Sequence, residues 1–116
     1  MKEIAYIDQN LAEFIPQFIN DRKKDIADIR GLIEIGDFEG TIEILKMIRE
    51  TANTFGFKEL TAMSSHAVTV ARRKKGGQAN ELIEKMAKHL EKIKVVYVDF
   101  GEENEMDFYE RGKDIL

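Results

Sequence analysis

Residues 45–60 read LKMIRETANTFGFKEL, and the periodicity around this stretch decides the fold. Apolar residues recur at the spacing of one helix face, at Ile42, Leu45, Ile48, Ala52 and Phe55. Gly56 comes next, and glycine readily takes the left-handed conformation that closes a helix. The pattern predicts an amphipathic helix that begins near Asp37 or Glu39 and ends at Gly56.

The segment before this helix predicts two more. A short cap helix is expected from Asn10, a favourable N-cap residue, to Ile15. Pro16 suits the first turn of the next helix because that position needs no amide donor. This second helix is expected to stop at Gly36-Asp37. Arg22 fills one turn of its apolar stripe, which consists of Ile15, Ile19, Ile26, Ile29 and Ile33.

The segment after Gly56 predicts a further helix from about Phe57, a break at Gly76-Gly77 and a last helix from about Ala79. The apolar positions of these two helices are Leu60, Met63, Ala67, Val70 and Ala71, then Leu82, Ile83, Met86, Leu90 and Ile93. Amphipathic helices joined by short turns bury their stripes in a common core. The fold class predicted is all-α, an antiparallel four-helix bundle with a short N-terminal cap helix.

Residues 95–100 are ambiguous, since their β-branched side chains suit either an extension of the last helix or a short strand. An acidic extension follows. Residues 99–116 carry seven acids and two bases, a charge of −5, whereas the whole chain carries −4. We therefore divide the chain into a helical bundle, residues 1–98, and an acidic tail, residues 99–116.

Composition excludes several classes of protein. A bundle close to neutral lacks the basic surface that nucleic-acid binding requires. The basic residues 72–75 precede a predicted helix end, where cations stabilise exposed carbonyl groups. The chain has no cysteine, which excludes disulfides and thiolate metal sites and is typical of a reducing cytoplasm. No apolar run approaches the ~20 residues of a membrane span.

The central stretch resembles the core motif of histidine-containing phosphotransfer (HPt) domains. In that family a histidine is followed by an apolar residue two places on and a lysine at three. Glycines follow at four and at ten places. Ile48, Arg49 and Gly56 fit this motif. Lys46 occupies the place of the histidine, and Glu50 that of the first glycine. The resemblance covers residues 15–98, including the turn at Gly36-Asp37 and the junction at residues 56–60.

The resemblance implies a role in bacterial two-component signalling, in the cytoplasm. Members of the family have a four-helix bundle with a cap helix and carry phosphoryl groups between receiver domains. They are not enzymes in their own right and need no cofactor or metal. The partner expected for this chain is a response-regulator receiver domain or a histidine kinase.

Lys46 is unsuited to the chemistry of the histidine that it replaces. Imidazole, with a pKa of ~6.5, keeps a free lone pair at neutral pH, whereas a lysine ammonium with a pKa of ~10.4 does not. Glu50 adds negative charge where phosphate would need room. We therefore predict no catalytic residue. The expected docking surface, called the Lys46 face below, consists of Glu43, Lys46, Arg49, Glu50 and Asn53.

Three alternatives stay open. In the first, the Lys46 face is a plain solvated helix surface with charge pairs one turn apart. In the second, the chain is an active phosphotransfer protein that uses His66 or His89, although neither has the family's sequence context and each fits a lone surface or core-edge histidine. In the third, the chain is a structural or oligomerisation bundle, with a seam formed by Ile35, Ile44 and Val68. The sequence does not indicate the oligomeric state.

Overall fold

The computed structural model describes residues 3–100, which form four α-helices, a short 3-10 helix and a two-stranded sheet. In chain order the elements are β1 (Ile4–Asp8), the 3-10 helix (Gln9–Phe14), α1 (Ile15–Glu34), α2 (Phe38–Phe55), α3 (Lys58–Arg72), α4 (Gly76–Lys92) and β2 (Lys94–Val98). The structure is therefore mostly helical, as predicted. All but the first two residues of the predicted acidic tail lie outside the described residues.

The glycines that flank α2 fix its ends. Gly36 takes a φ of 76° in the turn after α1, and the side chain of Asp37 then accepts a hydrogen bond from the amide of Gly40 at 2.9 Å. At the other end Gly56 takes a φ of 93°, and its amide donates to the carbonyl of Ala52 at 3.0 Å. A side chain with a Cβ is strained in this conformation. Both predicted boundaries are confirmed.

The predicted break at Gly76-Gly77 is wrong, because these glycines form the first turn of α4. The chain reverses two residues before Gly76. Lys74 adopts a φ of 56°, and its amide donates to the carbonyl of Ala71 at 2.9 Å. The first turn of a helix has no intrahelical amide bonds to lose, so two glycines are tolerated there.

The predicted cap helix exists, but it is a 3-10 helix and Asn10 does not cap it. Asp8 does so, since its Oδ1 accepts a hydrogen bond from the amide of Asn10 at 2.9 Å. The 3-10 helix runs directly into α1, where Pro16 occupies the first turn as predicted.

The two strands pair in parallel, with Ile7 opposite Tyr97. The ambiguous residues 95–100 thus contribute to a strand, and the helical prediction lacked only this small two-stranded sheet. Local periodicity did not reveal β1, since its partner lies near the other end of the described chain. The side chain of Ile7 is 0% exposed and belongs to the core, so the sheet is joined to the helices.

Helices α1 and α3 each pack against both α2 and α4. Most predicted core positions are fully buried, while Ile19, Ile42, Phe55, Met63, Leu82 and Ile93 are half-buried. Phe18 and Phe57 were not predicted as core. Their ring centroids lie 4.8 Å apart in an edge-on contact. Val68, predicted to lie exposed in an oligomer seam, is 2% exposed because it shares the inner face of α3 with Leu60.

Arg22 is the polar residue within the apolar stripe of α1, and the structure explains its place. Its Nε lies 2.7 Å from Oδ2 of Asp25, and its Nη1 donates to Oγ1 of Thr51 on α2 at 2.9 Å. The guanidinium also lies 5.2 Å from the ring centroid of Phe18. The side chain of Arg22 therefore connects α1 to α2.

Within residues 3–100, no helix combines the length and the apolar character needed to cross a membrane.

Candidate functional site

The Lys46 face lies on the outer side of α2. Glu43, Glu50 and Asn53 are exposed, while Lys46 and Arg49 are half-buried. The opposite side of the helix is buried, at Thr41, Leu45, Ile48 and Ala52. Lys46 is thus a half-buried residue on the outer side of α2.

The Lys46 face lies between the flank of α2 that faces α1 and the flank that faces α3. Thr51 contacts Arg22 and therefore faces α1. Arg49 is two residues earlier, about 200° around the helix, and so lies on the flank towards α3. The Lys46 face thus consists of a central acidic strip, Glu43 and Glu50, with cations along the α3 side.

The cations of this face have no ionic partner among the described residues. Within residues 3–100, ion pairs form at Arg22–Asp25 and Arg30–Glu84, and Nδ1 of His89 approaches Glu3. None of these contacts includes Lys46 or Arg49. Charge pairs between Lys46 and the acids one turn away, expected for a plain solvated helix surface, are absent from this part of the chain. Within residues 3–100, neither cation has a carboxylate at ion-pair distance.

The two histidines have very different surroundings. His66 is exposed on the outer side of α3. His89 on α4 is 2% exposed, and its Nδ1 lies 3.2 Å from Oε1 of Glu3. A phosphoryl donor has no access to a ring buried to that extent. Of the two histidines only His66 is open to such a donor.

The contact between His89 and Glu3 is close but is not a well-aligned hydrogen bond. Among the described residues neither ring nitrogen of His89 has a hydrogen-bond partner, and neither does Oε2 of Glu3. The burial of His89 was not predicted. The signal was present, since His89 follows Met86 by three residues and precedes Ile93 by four on the apolar face of α4.

A cavity of about 450 Å³ adjoins His89 at the end of the molecule that carries the sheet. Its lining comes from β1, the turn between α2 and α3, the end of α4 and the residue after Asp99: Ile4, Ala5, Tyr6, Gly56, Phe57, Lys58, Glu59, His89, Ile93 and Phe100. Sequence reasoning missed this cavity because one wall is the unpredicted strand β1.

Arg30 and Glu84 form a bidentate pair between α1 and α4, away from the Lys46 face. Nε of Arg30 lies 2.7 Å from Oε1 of Glu84, and Nη2 lies 3.1 Å from Oε2. This hydrogen bonding lowers the pKa of Glu84 and raises the pKa of Arg30 from their usual values. The pair is exposed and belongs to no cavity with His89 or Lys46.

No group of three or more histidine or acidic residues in the described part of the chain is arranged to hold a metal ion.

Comparisons with protein-family models, with curated proteins and with solved structures find no match to this chain.

Proposed function

We propose that this chain is a degenerate HPt-like domain of a two-component phosphorelay. In this proposal it docks a receiver domain or a histidine kinase through the Lys46 face and carries no phosphate itself. The proposal combines the motif at residues 45–60 with the two cations of that face, which have no ion pair within residues 3–100.

The proposed architecture is the antiparallel four-helix bundle of the HPt family. Support comes from the lengths of α1 to α4, which are 20, 18, 15 and 17 residues, and from the short turns between them. Each helix packs against two others, so that α4 returns to α1. Short connections favour antiparallel neighbours.

The functional proposal rests on the position of Lys46 and on its charge contacts. Its side chain lies at the surface of α2 and has no ion pair within residues 3–100. A receiver domain presents an acidic pocket to its HPt partner in the family that the chain resembles. A fixed ammonium group at position 46 would meet the charge of that pocket, while Glu50 would repel phosphate.

Binding of receiver domains tests the proposal directly. We expect isothermal titration calorimetry with the receiver domains of the same organism to find at least one partner. Lys46→Ala should weaken its binding by roughly tenfold, which corresponds to about 1.4 kcal/mol. The matched control is Lys88→Ala, which removes the same charge from an exposed site on α4, a helix that does not flank α2. No binding, or equal losses in both variants, would contradict the proposal.

The exposure of His66 defines the second candidate, a phosphotransfer protein with an unusual acceptor. In that case a phosphorylated receiver would leave acid-labile phosphate on the wild-type chain, and His66→Ala would abolish it. Under the docking proposal the wild-type chain stays unphosphorylated.

A further inference from the structure

Large apolar side chains are exposed at the end of the molecule that carries the sheet. Seven large hydrophobic residues within residues 3–100 are exposed, and five of them lie in the strands or directly beside them: Ile4, Tyr6, Phe14, Tyr97 and Phe100. Parallel sheets are usually covered on both faces. A concentration of exposed apolar groups on such a sheet indicates a surface that another part of a protein covers.

The cavity of about 450 Å³ at this end of the molecule brings several of these side chains together, since Ile4, Tyr6 and Phe100 all line it. Phe57 adds a further aromatic ring to the wall. His89 offers no polar group to an occupant, because both of its ring nitrogens are buried. An occupant therefore needs apolar side chains in the cavity and makes its polar contacts at the rim.

The rim of the cavity is basic. Lys58 lines it. Lys92 and Lys94 lie on either side of Ile93, which is part of the wall. All three lysines are exposed, and none belongs to an ion pair within residues 3–100. Glu59 is the one acid among the lining residues. This charge balance favours an occupant with carboxylates beside its apolar side chains.

The sequence that follows Phe100 has both properties. Residues 101–110 read GEENEMDFYE, with no base, three large apolar residues at Met106, Phe108 and Tyr109, and five acids at Glu102, Glu103, Glu105, Asp107 and Glu110.

The point of attachment also favours this segment. Phe100 belongs to the cavity wall, so residues 101–110 leave the described part of the chain at the cavity itself. Phe108 follows Phe100 by eight residues, a length of chain that reaches up to about 26 Å. Covalent attachment gives the segment a high effective concentration at the cavity, which a separate molecule lacks.

We propose that residues 106–109 occupy this cavity, with the rings of Phe108 and Tyr109 against its apolar wall and the carboxylates of Asp107 and Glu110 beside the lysines of the rim. The contact is intramolecular and covers the exposed apolar side chains of β1. The cavity is separate from the Lys46 face, and the proposal does not depend on the phosphorelay proposal.

The first test compares amide NMR spectra of the full chain with those of the full-length variant Phe108→Ser/Tyr109→Ser. We expect the amide signals of β1 and of residues 56–59 to shift, because the variant removes both rings from the cavity. The matched control is Ile115→Ser/Leu116→Ser, which removes two apolar side chains from the same tail outside the proposed segment. It should leave those signals unchanged.

A spin label measures the contact directly. The chain has no cysteine, so Gly112→Cys carries a single nitroxide. We expect the amide signals of β1 and of residues 56–59 to lose at least twice as much intensity with the wild-type segment as with Phe108→Ser/Tyr109→Ser. Lys58→Gln should reduce this difference, whereas Lys24→Gln, at an exposed site on α1, should not.

Equal intensity losses with the wild-type and the serine segments would overturn the proposal, as would losses centred on the Lys46 face. A mixture of ¹⁵N chain without label and ¹⁴N chain with label tests a second copy as the occupant. Signal loss at the cavity in that mixture would show a contact between molecules, which also overturns the intramolecular contact.

Discussion

Replacing Arg22 with methionine should destabilise the protein because Arg22 connects α1 to α2. The substitution keeps an unbranched apolar side chain in the stripe but removes the guanidinium. The side chains of Arg22 and Asp25 are only 12% and 16% exposed, so the lost contact is largely shielded from water. The carboxylate of Asp25 is then left half-buried without its cation.

The magnitude follows from the contacts that are lost. A hydrogen bond to a charged group contributes about 1.5–3 kcal/mol, and the position over the ring of Phe18 adds about 0.5–1 kcal/mol. Thr51 loses little, because its hydroxyl also donates to the carbonyl of Met47 at 2.9 Å. After allowance for the new apolar contacts of methionine, we expect a loss of about 2–3 kcal/mol in the free energy of unfolding.

Urea unfolding followed by circular dichroism at 222 nm measures this loss as a lower midpoint with an unchanged slope. Lys23→Met is the matched control, since Lys23 is the exposed neighbour on the same helix, and it should change stability by less than about 0.5 kcal/mol. A double-mutant cycle of Arg22→Met with Asp25→Asn should give a coupling of about 1–2 kcal/mol. An Arg22→Met variant as stable as the control would refute the reasoning.

Three further predictions concern other parts of the fold. Gly56→Ala should lower the free energy of unfolding, measured by thermal melting, by about 1 kcal/mol, because a φ of 93° strains a residue with a Cβ. A variant as stable as the wild type would show that residue 56 does not adopt this conformation. Ile7→Ala should lower the free energy of unfolding, measured in the same way, by about 2–5 kcal/mol, since Ile7 is 0% exposed. A loss below about 1 kcal/mol would mean that β1 is not part of the core. Glu84 should titrate below the usual glutamate range by NMR, and Arg30→Gln should return its pKa towards that range. Because the folded pKa is lowered, the stabilising effect of Glu84 is present above the unfolded pKa and disappears as the pH falls through the folded pKa.

The helices could be predicted because their signals are local. Apolar residues three and four apart mark the buried face of α2, and Gly56 marks its end because few other residues adopt a positive φ. Pro16 marks the first turn of α1 for a similarly local reason. The position of the Lys46 face on the outer side of α2 follows from the same periodicity.

The sheet and the cavity depend on contacts between distant residues, which periodicity does not contain. Ile7 pairs with Tyr97, ninety residues away, and a five-residue strand gives little pattern of its own. Lys74 takes the positive φ at the turn before α4, where the sequence pointed to the glycines that follow. The lack of ion pairs at Lys46 within residues 3–100 is likewise a matter of side-chain geometry, whereas the sequence spacing favoured pairing with Glu43 or Glu50.

In the proposed function, Lys46 occupies the place that a phosphate-carrying histidine has in HPt domains. The measurement is phosphate transfer from a phosphorylated receiver domain, selected by its binding, to the variant Lys46→His/Glu50→Gly. Lys88→His controls for the mere presence of a surface histidine on α4. Acid-labile phosphate at residue 46 of the double variant, and none on the wild type or the control, is the predicted result. A double variant that binds the receiver but stays unphosphorylated, or a wild-type chain that accepts phosphate, would contradict the account.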